Sequence, residues 1–282
     1  MLPNFLVIGV AKGGTTALAE HLGAHPQVFM AAEKEIHYFD DHFDKGVDWY
    51  RSRFAKVRGE VAVGEASPTY VYVDAAIERM ADLLPAAKLI VVLRNPIDRA
   101  YSHYWWMRPL TERLSFEDAV HSELSGQDTE GRVYIGGGHY LERLQKVCEF
   151  YPRSSLHVVI AEELRSSPAP TFAGVCRFLG VDDTVEPSNL GATINPAYVL
   201  RWPALRPLMF KTRAFKWLPF DLGARIDRAN RKPFKYPPMD PALRAELERY
   251  YEPYNAALAA WLGRDLDAWS ARAGVVPQGG PS

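Results

Sequence analysis

The chain has 282 residues, of which 48% are hydrophobic and 24% charged, and a net charge of −1. That is an ordinary globular composition, long enough for one large α/β domain with a well-buried core, and it holds no low-complexity linker or internal repeat. It excludes a disulfide framework, since Cys148 and Cys176 sit in apolar helical patterns as buried thiols, and no apolar run approaches the roughly 20 residues that span a bilayer.

Strand-like and helical segments then alternate along the chain. Strand-like runs fall at 5–10, 27–31, 60–63, 88–93 and 156–160, and helical patterns at 16–22, 74–84, 96–106, 140–150 and 170–179, the last ending at Gly180 as a C-cap. Runs apolar on both faces fit a buried parallel sheet, and their alternation with helices predicts a single α/β domain, a central parallel sheet flanked by helices. Two regions break the rhythm. Residues 108–138 are polar with five glycines, and 195–238 are rich in Pro, Trp and Arg; both read as insertions that cover a site. A long amphipathic helix over 241–262 is expected to pack along the sheet.

The most informative stretch is the first turn. The apolar run from Phe5 breaks at Ala11-Lys12-Gly13-Gly14 and resumes as Thr15-Thr16-Ala17-Leu18. Strand, glycine turn and helix start together make an anion site, because main-chain N–H groups and the helix dipole point at the same place. A nucleotide triphosphatase loop reads GxxxxGK[ST], with Lys after the glycines. Here Lys12 precedes them, so it sits at the loop tip, towards the outer end of a short anion. Ligands of such sheets bind at the carboxyl ends of the strands, where Lys12, Glu35 and Arg94 should converge.

Lys12-Gly13-Gly14-Thr15-Thr16 resembles the 5′-phosphosulfate loop of sulfotransferases that use 3′-phosphoadenosine-5′-phosphosulfate (PAPS), and most of all the heparan-sulfate N- and 3-O-sulfotransferase type. Segments similar to that family follow in the same order: Lys34-Glu35-Ile36-His37-Tyr38-Phe39-Asp40, Gly64-Glu65-Ala66-Ser67-Pro68, Leu93-Arg94-Asn95-Pro96 with Arg99-Ala100-Tyr101-Ser102, and Lys235-Tyr236-Pro237-Pro238. The resemblance covers nearly the whole chain. It implies a sulfotransferase fold, related to the P-loop nucleotidases, and sulfuryl transfer from PAPS to a hydroxyl or amine of a carbohydrate or natural product.

Residue by residue, the resemblance and the chemistry give these expectations. Lys12 stabilises charge on the bridging oxygen, and Gly13, Gly14, Thr15 and Thr16 hold the 5′-phosphate. Arg94 and Ser102 clamp the 3′-phosphate, a guanidinium fork and a hydroxyl eight residues apart. Taken alone, Arg94 would read as an ion pair with Asp98, four residues on. Glu35 is the candidate general base, with His37 and Asp40 placed to orient the acceptor or tune Glu35. Lys232, Phe234 and Lys235 occupy a late loop that departs from the family pattern, with Phe234 a candidate to stack on adenine.

Residues 201–236 carry ten Lys/Arg against Asp221 and Asp227, which suits an anionic ligand, although most of these cations read as solvated surface. No metal-ligand signature stands out, and sulfuryl transfer needs no metal to shield the donor. Trp105, Trp106, Trp202 and Trp217 could stack on a small-molecule or oligosaccharide acceptor. The expected organisation is a catalytic domain over 1–272 and a flexible tail over 273–282. With the first strand starting by Phe5, no leader or anchor is expected, no nucleic-acid partner is implied, and the enzyme should be cytoplasmic. Two readings stand beside it: a P-loop kinase using ATP and Mg²⁺, and a non-catalytic anion- or carbohydrate-binding relative.

Overall fold

A computed structural model describes residues 1–33, 35–191, 198–200 and 229–269. Lys34, Trp202, Trp217, most of the 195–238 segment and the 273–282 tail lie outside the described residues.

Five strands form one parallel sheet in the order β2-β3-β1-β4-β5: β1 (Phe5–Gly9), β2 (Val28–Met30), β3 (Ala62–Ala66), β4 (Lys88–Leu93) and β5 (Leu156–Ile160). The strands carry side chains buried on both faces, as a sheet covered by helices requires. In β1, Leu6 and Ile8 join one hydrophobic cluster while Phe5 and Val7 join the other. The first cluster takes in α2 (Gly46–Ser52), α3 (Asp74–Leu83) and α6 (Tyr140–Cys148) through Tyr50, Ile77, Met80, Leu144 and Val147. The second takes in α1 (Thr15–Gly23) and α8 (Pro168–Leu179) through Leu18, Leu22, Phe172 and Val175. Each such aliphatic side chain contributes about 1.5–3 kcal/mol when taken from water to the interior.

The third strand is displaced from its expected place. Residues 60–63 were the apolar signal, yet β3 is Ala62–Ala66, and Glu65 inside it is buried. A charged residue and a glycine hid the strand from a reading by hydrophobicity. Gly64 is needed there, because a Cβ would lie 2.4 Å from the Phe5 ring across the sheet.

A second layer of helices lies beyond the sheet. α4 (Pro96–Met107) starts on an Asn95 cap whose side chain accepts the Ile97 N–H at 2.9 Å, with Pro96 in the first turn. It packs with α5 (Phe116–Leu124) and α9 (Pro241–Leu262) around Ile97, Tyr104, Phe116, Leu247 and Tyr251. The final helix therefore runs mainly along α4 and α6, not along the sheet as its amphipathic pattern suggested. α7 (Ala161–Ser166) links β5 to α8, and a short antiparallel pair, β6 (Tyr198–Leu200) and β7 (Arg231–Pro233), stands apart from the main sheet.

Residues 108–138 are more than a polar cover. They contain α5, and Arg132 forms a nearly buried ion cluster with Glu112, at 2.8 Å, and with Asp128. Buried Arg99 of α4 donates to the Val133 carbonyl at 3.0 Å and to the Tyr134 carbonyl at 2.5 Å, which ties the segment to α4. Gly137 and Gly138 serve close approach there, since a Cβ would meet Arg99 and Tyr251 at 2.7 Å, and the charges pair, which composition alone reads as loop.

Candidate active site

The turn after β1 is built by its own main chain. The Gly13 N–H donates to the Val10 carbonyl at 2.8 Å. A Cβ on Gly13 would sit 2.3 Å from the Val92 carbonyl oxygen of β4, so the chain can pass this close to β4 only as glycine. Lys12 and Gly14 both have positive φ, 68° and 109°. Gly14 caps α1 without a side-chain hydrogen bond, and the Gly14, Thr15 and Thr16 N–H groups meet no backbone carbonyl among the described residues. Of the four N–H groups expected at this turn, the Gly13 one closes the turn and three are left at the positive end of the helix. The Lys12 ammonium lies 5.7 Å from the centre of the Trp106 ring on α4.

Arg94 follows β4 directly and reaches the same turn. Its Nη1 donates to the Lys12 carbonyl at 3.5 Å, a long contact, and its buried Nε has no hydrogen-bond partner among the described residues. Burial draws its pKa below the ordinary arginine value, although a guanidinium stays charged. The Arg94 carbonyl accepts from Tyr140 at 2.8 Å, which holds this corner to α6. The pairing with Asp98 suggested by sequence spacing is displaced, because Asp98 pairs with Arg244 of α9 at 2.9 Å.

Ser102 is buried on α4, and the late loop docks on the residues that bracket it. Tyr101 donates to the Pro237 carbonyl at 2.9 Å. Trp105 stacks on Tyr236 at 5.8 Å, and the Phe234 ring lies 5.4 Å from Trp105. Phe234 is thus half-buried against α4, while Lys232 and Lys235 are exposed on either side of it.

The second loop on this sheet edge follows β2. Glu35 and His37 both adopt left-handed backbone, φ 56° and 53°. His37 Nδ1 lies 3.1 Å from Asp40 Oδ2 and 3.2 Å from the Thr69 hydroxyl, which itself donates to Asp40 at 2.5 Å. On the other side of the ring, Nε2 is 3.7 Å from Glu35 Oε2. Hydrogen bonding to Asp40, then to Glu35, raises the His37 pKa to about 10. Burial would raise the Asp40 pKa, but the His37 and Thr69 contacts outweigh it and hold the carboxyl below its usual range. The result is a carboxylate–imidazolium–carboxylate row. Asp41 stands 3.9 Å from the same ring, so that among the described residues His37, Asp40 and Asp41 bring three potential metal-ligand atoms within 4.8 Å of one another.

Several residues at this edge carried no role in the sequence. Thr69 completes the His37–Asp40 contact. Ser67 and Tyr70 accept main-chain N–H groups of the loop, and buried Glu65 stands behind them. A glutamate within an otherwise apolar strand was the available signal. On α4, His103 is held neutral, its pKa lowered to about 3 by burial and then by Arg99 and Lys12. Among the described residues, no helix is long and apolar enough to cross a membrane.

The sulfotransferase domain family model matches residues 2–192. Human heparan sulfate glucosamine 3-O-sulfotransferase 5 is 28% identical over 94% of this chain and 74% of its own length. Human bifunctional heparan sulfate N-deacetylase/N-sulfotransferase 2 is 30% identical over 95% of this chain, which spans 31% of that larger protein. Among solved structures, a sulfotransferase from Alicyclobacillus acidocaldarius aligns with a TM-score of 0.71 at 28% identity, covering 95% of this chain and 99% of that one. With the family model matching well over half its length, this chain belongs to the sulfotransferase domain family and is a transferase.

Proposed function

We propose that the chain transfers the sulfuryl group of PAPS to a hydroxyl or amine of a carbohydrate, with Glu35 as general base. The observation that carries this reading is the meeting of two opposite chemistries on one sheet edge. A cationic, N–H-rich corner (Lys12, Gly14, Thr15, Thr16, Arg94) lies on the same edge as an acidic loop (Glu35, His37, Asp40). The first suits a doubly phosphorylated donor, the second a neutral acceptor that must lose a proton.

In this reading the three spare N–H groups and the Thr hydroxyls hold the 5′-phosphate. Buried Arg94, with its Nε unsatisfied among the described residues, and Ser102 take the 3′-phosphate. Gly13 acts by conformation, not as a donor. Lys232, Phe234 and Lys235 flank the nucleoside from the loop docked on α4. The acceptor oxygen or nitrogen attacks sulfur in line and gives its proton to Glu35. The bond from sulfur to the bridging oxygen breaks, and its electron pair stays on the 5′-phosphate beside Lys12. The His37 imidazolium, fixed by Asp40 and Thr69, orients Glu35. The names of the relatives support a heparan-type glucosamine acceptor. Lys12 placed before the glycines, not after them, speaks against an ATP-dependent kinase.

The test is transfer from radiolabelled PAPS to desulfated and N-sulfated heparan oligosaccharides, beside phenol and sterol acceptors, with stabilisation by 3′,5′-ADP and by ATP measured in parallel. Labelled oligosaccharide and selective stabilisation by 3′,5′-ADP are expected. Stabilisation by ATP–Mg²⁺ but not by 3′,5′-ADP overturns the reading.

A further inference from the structure

Glu65 is 1% exposed in the middle of β3, and hydroxyls surround its carboxylate. Tyr50 and Tyr70 donate to Oε1 at 3.2 and 2.8 Å, and Ser67 donates to Oε2 at 2.7 Å. Two of these hydroxyls also face the acidic loop. Ser67 Oγ accepts the His37 N–H at 3.2 Å, and the Tyr70 hydroxyl accepts the Tyr38 N–H at 2.8 Å. Burial pushes the Glu65 pKa up to about 7, against the pull of the Ser67, Tyr70 and Tyr50 hydrogen bonds and the His37 charge.

In its ionised form, which prevails above about pH 7, the Glu65 carboxylate only accepts. It therefore claims the proton of each hydroxyl, and the hydroxyl lone pairs are left for the loop. Those two N–H groups belong to the stretch in which Glu35 and His37 hold left-handed φ, a strained conformation that persists only where the surroundings impose it. We propose that Glu65 is a positioning residue for the acceptor side: through the oriented hydroxyls of Ser67 and Tyr70 it fixes the main chain at His37 and Tyr38, and so aims Glu35 and His37. The inference rests on the reading of Glu35 as general base, and it places the control of acceptor-side geometry in a residue that touches no substrate.

Glu65→Gln is the sharp variant. It keeps the shape but introduces an amide donor, which must compete for a hydroxyl lone pair that now serves the loop. Amide hydrogen exchange read by NMR should show His37 and Tyr38 losing protection by about tenfold or more, with the hydrogen-bonded N–H groups of Gly13, Ala17 and Leu18 unchanged and the affinity for 3′,5′-ADP unchanged. With N-sulfated heparan hexasaccharide as acceptor, kcat should fall about 10–100-fold, the scale of a catalytic group misplaced by an ångström or less. In a Glu35→Gln background the same change should remove almost nothing further. Unaltered protection at His37 and Tyr38, protection lost equally at the glycine turn, or additive losses with Glu35→Gln would each overturn the proposal. Should Glu65→Gln not fold, Ser67→Ala and Tyr70→Phe probe the same chain from its outer links, with the same non-additivity expected and the same additivity fatal. The exchange measurement needs no acceptor, so it decides this inference even if no sulfuryl transfer to the hexasaccharide is found.

Discussion

The Lys12–Thr16 turn is closed by its own neighbours: Gly13 bonds to Val10, and the Val92 carbonyl beside it leaves room for no side chain. The Glu35–Asp40 loop on the same edge is held from some thirty residues further on, by Ser67, Thr69 and Tyr70, with Glu65 behind them. One corner is main-chain geometry; the other is a side-chain network. A corner made of main chain tolerates change at a distance but not at its glycines. A loop made of side-chain contacts can be re-aimed by substitutions that touch neither substrate nor loop. In the proposed reading, this division lets acceptor geometry vary while the anion corner stays as it is.

The largest separation of the two corners should come from Glu35→Gln. Loss of a general base lowers the rate by roughly 10²–10⁴, and affinity for 3′,5′-ADP should stay near normal because the anion corner is untouched. Titration calorimetry beside steady-state kinetics reads both quantities. A variant with full activity moves the base elsewhere. Lys12→Ala attacks the other corner, where losing a group that stabilises leaving-group charge costs about 10²–10³ in kcat. Near-normal turnover would remove Lys12 from the chemistry.

A smaller effect sharpens the comparison inside the anion corner. Arg94→Ala with Ser102→Ala should weaken 3′,5′-ADP by roughly 10–100-fold, the worth of hydrogen bonds to a charged group, and leave 5′-AMP almost unaffected. Equal losses for the two ligands would mean that the pair supports the fold and not the 3′-phosphate.

The smallest effect is a pH dependence confined to the acidic loop. The His37 pKa is raised in the folded protein, from 6.5 to about 10, by Asp40 and then Glu35. Its contribution to stability is therefore complete below pH 6.5 and lost as pH climbs towards 10. Glu65 runs the same way over a lower window: its raised carboxyl, about 7 against 4.5, favours the fold at low pH and loses that advantage between those values. Melting between pH 7 and 9 isolates the histidine. Over that range the wild type should lose about 2–4 °C more than Asp40→Asn, in which the pair is already weakened. Parallel curves for the two proteins would show that His37 is not held protonated by Asp40.

The βα rhythm made most of the fold legible. The strands 88–93 and 156–160 and the helix 241–262 lie where their patterns placed them, because apolar runs buried on both faces and a Pro241 helix start are local signals. The turn at Lys12 was legible for the same reason: glycine, threonine and lysine act there through main chain and sequence neighbours. β3 was misplaced by a few residues because its buried Glu65 is stabilised by hydroxyls that no local pattern reveals. Residues 108–138 read as loop because Arg132, Glu112 and Asp128 neutralise one another only once folded.

By itself, then, the sequence determined the α/β sheet, the glycine turn and the residue types of the acidic loop, all of which follow from neighbours in the chain. Tertiary structure alone decided that Asp98 leaves Arg94 for Arg244, and that His37 stands between Glu35 and Asp40 as an imidazolium. The physical reason is common to both. Hydrogen-bond partners and charge states depend on which groups burial brings together, and burial is a property of the packed chain.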